Sequence, residues 1–160
     1  MRWILVLVFL AGCASYSGRG LVPGQATASD ADKLMGPAAE QRPGPGGETV
    51  RYYSRQPYGR EIYAARFGAD GRLIAIEQRL TTDNLEKMVR GSWTANQVRD
   101  LLGPPFEVHR LPGPDREAWT YWMHGTTFPK HLYVQFSPDG ILREVIYIDD
   151  PTLHQIEDNG

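Results

Sequence analysis

Four histidines, one cysteine and a pair of adjacent aspartates are the side chains of this 160-residue chain best suited to metal or acid–base chemistry. Their spacing supports neither. His109, His124, His131 and His154 include no pair at the one-turn helical separation that turns two imidazoles onto one metal, and Cys13 has no second thiol beside it. No Gly-x-Ser-x-Gly elbow occurs, and Pro43-Gly44-Pro45-Gly46-Gly47 lacks the Lys-Ser/Thr of a phosphate loop, so it reads as a turn. Asp149-Asp150 offer two carboxylates without the further oxygens a cation takes, and read as a solvated strand end. The residues predict no catalysis, no metal, no cofactor and no small-molecule substrate. With 17 Lys+Arg against 19 Asp+Glu there is no basic footprint for nucleic acid either.

The chemistry that remains is acylation. Met1-Arg2 precedes an unbroken apolar run over residues 3–10, too short to span a bilayer but of the length of a secretory core segment, followed by Ala11-Gly12-Cys13. A lone cysteine in an exported chain has no internal disulfide partner. Leu10-Ala11-Gly12-Cys13 resembles the bacterial lipobox, which implies removal of residues 1–12 and a lipid-bearing Cys13 as the mature N-terminus. Ala14, in place of Asp, resembles the sorting signal of lipoproteins sent to the outer membrane. Residues 13–20, small, polar and Gly-rich, read as a flexible tether.

The elements beyond the tether repeat. Residues 24–37 and 91–104 share Gly24/Gly91, Thr27/Thr94, Ala28/Ala95, Leu34/Leu101, Gly36/Gly103 and Pro37/Pro104 at an offset of 67, and Phe67-x-x-Asp70-Gly71 matches Phe136-x-x-Asp139-Gly140 at an offset of 69. Thr94 with Gln97 makes a capping box, so a helix is expected to start there. Val98, Leu101 and Leu102 give it one apolar stripe, as Ala31, Leu34 and Met35 do in the first unit. Gly36 and Gly103 stand where a left-handed residue ends a helix, and the prolines after them prevent continuation. A Pro/Gly-rich loop and three strand-like runs follow in each unit, over 49–54, 61–67 and 72–80, then 118–123, 131–136 and 142–148, with Asp-Gly hairpin signals before the last run of each. The fold class is α+β, a tandem repeat of a short helix plus a three-stranded antiparallel meander, with units at 21–82 and 83–150, a short connecting helix near Asp83 and a polar tail over 151–160. A 60-residue unit buries too little surface to be stable alone, so the two are expected to share one core or sheet.

Aromatics crowd the first strand of each unit: Tyr52, Tyr53 and Tyr58, then Trp119, Tyr121 and Trp122. Alternation sends neighbours to opposite faces, and pairing Tyr52 with Tyr121 as core leaves Tyr53 and Trp122 as candidate protein-binding residues, with Arg51, Arg55 and Arg116 close by. The competing reading is that large side chains simply clad a thin sheet.

The motifs Val22-Pro23-Gly24-x-x-Thr27 with Leu34-x-Gly36-Pro37, and Gly91-x-x-Thr94 with Leu101-x-Gly103-Pro104, Trp119-x-Tyr121 and Phe136-x-x-Asp139-Gly140, resemble the SmpA/OmlA domain of BamE-type outer-membrane assembly lipoproteins. The tandem form resembles the fold of the β-lactamase inhibitory proteins. The resemblance implies a lipoprotein on the periplasmic face of the outer membrane, with structural roles for Thr27, Gly36, Thr94 and Gly103. Its implied partners are subunits of the β-barrel assembly complex, and its contact with the membrane is through acyl chains on Cys13. Two function classes follow: a non-enzymatic scaffold in barrel assembly, or a periplasmic inhibitor or sensor that grips an enzyme through its tandem sheet.

Overall fold

Thr27 and Thr94 begin the two longer helices, as their positions predict. In the computed structural model, which describes residues 16–150 apart from 114, 126 and 128, α1 spans Ala28–Met35, α2 Thr82–Glu86 and α3 Ala95–Leu102. Cys13, the export segment over 1–12 and the tail over 151–160 lie outside the described residues. Each threonine hydroxyl accepts the amide of the third helical residue, and that residue's side chain accepts the threonine amide in return. Asp30 closes this reciprocal pair on α1 as Gln97 does on α3.

Both helices stop on glycine, though not in the left-handed helical region: Gly36 has φ 84° and ψ 178°, and Gly103 φ 85° and ψ −171°. The prolines explain the difference. A proline ring excludes helical ψ from the residue before it, and positive φ with extended ψ is essentially open to glycine alone.

Two sheets follow, each four-stranded, antiparallel and in sequential order: β1 Glu40–Pro43, β2 Thr49–Ser54, β3 Ile62–Phe67 and β4 Leu73–Gln78, then β5 Glu107–Leu111, β6 Arg116–Met123, β7 Lys130–Phe136 and β8 Leu142–Asp149. The expectation of three strands per unit is corrected to four. The segments read as loops pair with the next strand, from Glu40↔Tyr52 to Pro43↔Thr49 and from Glu107↔Thr120 to Leu111↔Arg116. Pro43 is admissible because β1 is an edge strand.

Each helix is tied to the last strand of its sheet in the same way. The amide of Gly24 donates to the carbonyl of Leu73 and that of Gly91 to Leu142, both at 2.7 Å, while Leu73 donates to Ala26 and Leu142 to Trp93 at 2.8 Å. The Asp-Gly turns that launch β4 and β8 put Gly71 and Gly140 at φ 75°, the left-handed position of a three-residue hairpin loop.

The layers run α1, first sheet, α3, second sheet. On the first sheet Tyr53, Ala65, Phe67 and Leu73 meet Ala31 and Met35 of α1, and on its opposite face Val50, Tyr52, Ile62 and Ala64 meet Val98 and Leu102 of α3. Trp119, Tyr121, Leu132, Val134, Phe136 and Leu142 of the second sheet close on the same α3, so one cluster contains residues of both units. Tyr52 donates to the carbonyl of Asp100 at 2.7 Å and Tyr121 to that of Gly103 at 3.0 Å, satisfying groups that the end of α3 leaves without helical partners.

The described part of the expected tether, residues 16–20, touches the first unit at two points. Gly18 is buried, its missing Cβ leaving room for Ile76 and Met35, and the Arg55 guanidinium lies 3.1 Å from the centre of the Tyr16 ring.

Candidate interaction surface

Strand register decides which aromatics face outward. Tyr53 pairs with Tyr63 and Tyr121 with Leu132, and because Thr49↔Phe67 corresponds to Glu117↔Phe136, the partner of Tyr121 in the other sheet is Tyr53. The expected pairing of Tyr52 with Tyr121 is off by one residue, and a slip of one residue exchanges the faces of a strand. Tyr53 is therefore corrected from binding surface to core: it is only 3% exposed, and its hydroxyl donates to Asp32 at 3.0 Å. Burial and that bond push its phenol up, and burial pushes up Tyr121, so both remain neutral donors. Tyr52 is buried as well, because helices cover both faces of the first sheet. Trp119 and Tyr121 are core as expected, while Tyr58, on the β2–β3 connection, is fully exposed.

Trp122 is half-buried on the outer face of the second sheet, the face turned away from α3. Its ring lies 4.4 Å from that of His131 and 6.1 Å from that of Phe106, with the Arg60 guanidinium 5.2 Å from its centre. Gln56 grips the strand here, accepting from the Trp122 amide at 2.9 Å and donating to its carbonyl at 2.7 Å. Arg60 reaches on to Asp150 at 3.0 Å. The face continues through Tyr133 to the exposed Ile146 and Ile148 of β8, and at its other end Arg116 donates to Gln135 and Glu144. Of the three arginines singled out by sequence, only Arg116 belongs to this face; Arg51 pairs with Asp32 of α1, and Arg55 lies on Tyr16. No helix among the described residues covers it.

The corresponding face of the first sheet shows what this geometry can hold. There Glu40 and Arg42 of β1, 3.3 Å apart, take the consecutive pair Arg99 and Asp100 of α3: Glu40 accepts from Arg99 at 2.6 Å and 2.9 Å, and Arg42 donates to Asp100. Glu107 and His109 of β5 occupy the same register positions and touch each other at 2.9 Å, exposed and with no helix against them among the described residues. An acidic and a basic group beside a half-apolar sheet face can seat an amphipathic element of complementary charge.

Comparisons with known proteins add little. No protein-family model matches the chain, and no curated protein matches it. Among solved structures, a DUF4309 family protein (YjgB) from Bacillus subtilis is similar at 18% identity, over 82% of this chain and 84% of that one, with a TM-score of 0.33. A likeness that weak carries no statement about activity.

Elsewhere, α2 and the inner end of the second sheet enclose a groove of about 630 Å³ floored by Leu85, Met88, Met123 and Val145. Two basic groups at its rim are already paired, Lys130 with Asp149 at 2.6 Å and His124 with Glu61 at 2.8 Å. Sequence reasoning did not find Glu107, His109, Tyr133, Ile146 or Ile148 as surface residues. The alternation of β8 carried a signal for the two isoleucines, whereas Glu107 and His109 lay in a segment read as loop.

Proposed function

We propose that this chain is a lipid-anchored, non-enzymatic scaffold of outer-membrane β-barrel assembly. It is held on the periplasmic face by acyl chains on Cys13 and contacts other subunits of the complex through the outer face of its second sheet. The lipobox-like Leu10-Ala11-Gly12-Cys13 supports the anchor, and the SmpA/OmlA-like motifs support the setting. The two units are read as a duplicated module, supported by matched caps, turns and helix-to-strand bonds. One observation carries the docking surface. The face around Trp122 corresponds to the one on which the first sheet receives α3, down to the acidic and basic residues at its edge, so a partner's amphipathic helix fits it.

Trp122→Ala tests the surface. The variant is expected to keep a cooperative melt and to lose co-purification with barrel-assembly subunits from detergent-solubilised envelopes by roughly thirtyfold or more in affinity, the mark of a buried hot spot. Normal co-purification by a folded variant would remove the face from consideration, and recovery of a soluble periplasmic enzyme in its place would turn the reading to an inhibitor. Labelling with a fatty-acid analogue should mark the wild type and not Cys13→Ser.

A further inference from the structure

Strand β8 ends the second sheet, and most of its outer edge has no strand against it among the described residues. Only its start is occupied, where Leu142 exchanges hydrogen bonds with Gly91 and Trp93. The Asp150 amide donates to Pro129, and by the alternation of an antiparallel ladder Ile148 and Ile146 also point their backbone groups toward β7. Val145, Tyr147 and Asp149 then present theirs to the open edge. Val145-Ile146-Tyr147-Ile148 has neither charge nor proline, the devices that normally blunt an edge, and Ile146, Tyr147 and Ile148 are 38%, 56% and 44% exposed. The corresponding strand of the first sheet, β4, has the segment around Gly18 lying against its Ile76.

We propose that β8 pairs antiparallel with β8 of a second copy of this chain, about a two-fold axis at Ile146. Two independent features select that register. The open stretch runs from residue 143, just past the contact at Leu142, to Asp149, and its midpoint is Ile146. Pairing about this residue also sets Val145 against Tyr147 of the other copy, so outward backbone groups meet one another, and brings Arg143 alongside the other copy's Asp149 at both ends. Shifting the axis by one residue either way places Arg143 beside Tyr147 or Asp149 beside Val145 and loses both charge pairs. Arg143 now bonds Ser137 and Asp139, and Asp149 bonds Lys130; all lie at the exposed rim and are free to share. Such a contact is isologous and closed, and it joins the two outer faces into one eight-stranded platform.

Cysteine crosslinking in membranes of cells making the full chain tests this, with the unsubstituted chain setting the background from Cys13. At the two-fold axis the Cα atoms of an open antiparallel pair sit about 4.5 Å apart, within disulfide range, so Ile146→Cys is expected to give a dimer on mild oxidation. Ile148→Cys, on the same face and similarly exposed, would lie about 13 Å from its mate and should not. Adding Asp149→Lys to Ile146→Cys should abolish the dimer, and adding Arg143→Glu as well should restore it. No dimer at 146 above background, including the case in which residues 151–160 of the same chain occupy the edge, overturns the proposal. So does equal dimer formation at 148, or failure of the charge exchange in variants whose thermal melts match the parent.

Discussion

Gly36 and Gly103 are interchangeable in the sequence, each following an apolar stripe and preceding a proline, and they share one backbone conformation. Their surroundings separate them. A Cβ on Gly36 would meet nothing within 4 Å, whereas one on Gly103 would sit 2.7 Å from Cδ1 of Tyr52 and 2.9 Å from Cγ2 of Ile62. Gly36→Ala is expected to cost only the backbone strain, on the order of 1–3 kcal/mol. Gly103→Ala adds an overlap with a ring that is itself fixed by its bond to Asp100, so its melting midpoint should fall clearly further. Equal midpoints would mean that α3 is free to shift off the first sheet. The need for glycine was legible from the Gly-Pro pairs; the second reason for it at 103 was not, because Tyr52 is some fifty positions distant along the chain.

At the scale of elements, α3 is held to β1 by charge. Hydrogen bonds from Arg99, aided by Arg42, hold the Glu40 carboxyl below its usual 4.5. A carboxyl whose folded value is depressed stabilises the fold fully above the unfolded value, and that contribution is lost as pH falls through the folded one. Wild type should therefore exceed Glu40→Gln in stability near neutral pH, and the gap should close on acidification below about 4.5. Denaturant titrations at both ends of that window measure it; a gap independent of pH would show that the Arg99 bonds do not depend on the charge of Glu40. The strand supplying Glu40 was hidden in the sequence by its Pro43 and by the prolines and glycines around it, which mark turns as readily as they mark the ends of a short edge strand.

For the molecule as a whole, α3 packs against both sheets in one core cluster, and the two units are therefore expected to unfold together. A fragment ending at Asp83 would expose Val50, Tyr52, Ile62 and Ala64 to water, and should remain unfolded. The full chain is expected to melt in a single transition by both far-UV dichroism and tryptophan fluorescence, and two separated transitions would show independent lobes. Features that depend on neighbours along the chain are legible in the sequence. Helix starts follow from threonines whose hydroxyls accept the amide three residues on, helix stops from Gly-Pro, hairpins from Asp-Gly, and strand alternation from the spacing of apolar residues. Which face of each strand is enclosed depends on packing between distant segments, because a two-residue period distinguishes two faces without stating what lies against either. Strand register, fixed by pairing between segments distant in the chain, makes Tyr53 the counterpart of Tyr121 and not of Trp122, so Tyr53 faces α1 while Trp122 lies on the face that no helix among the described residues covers.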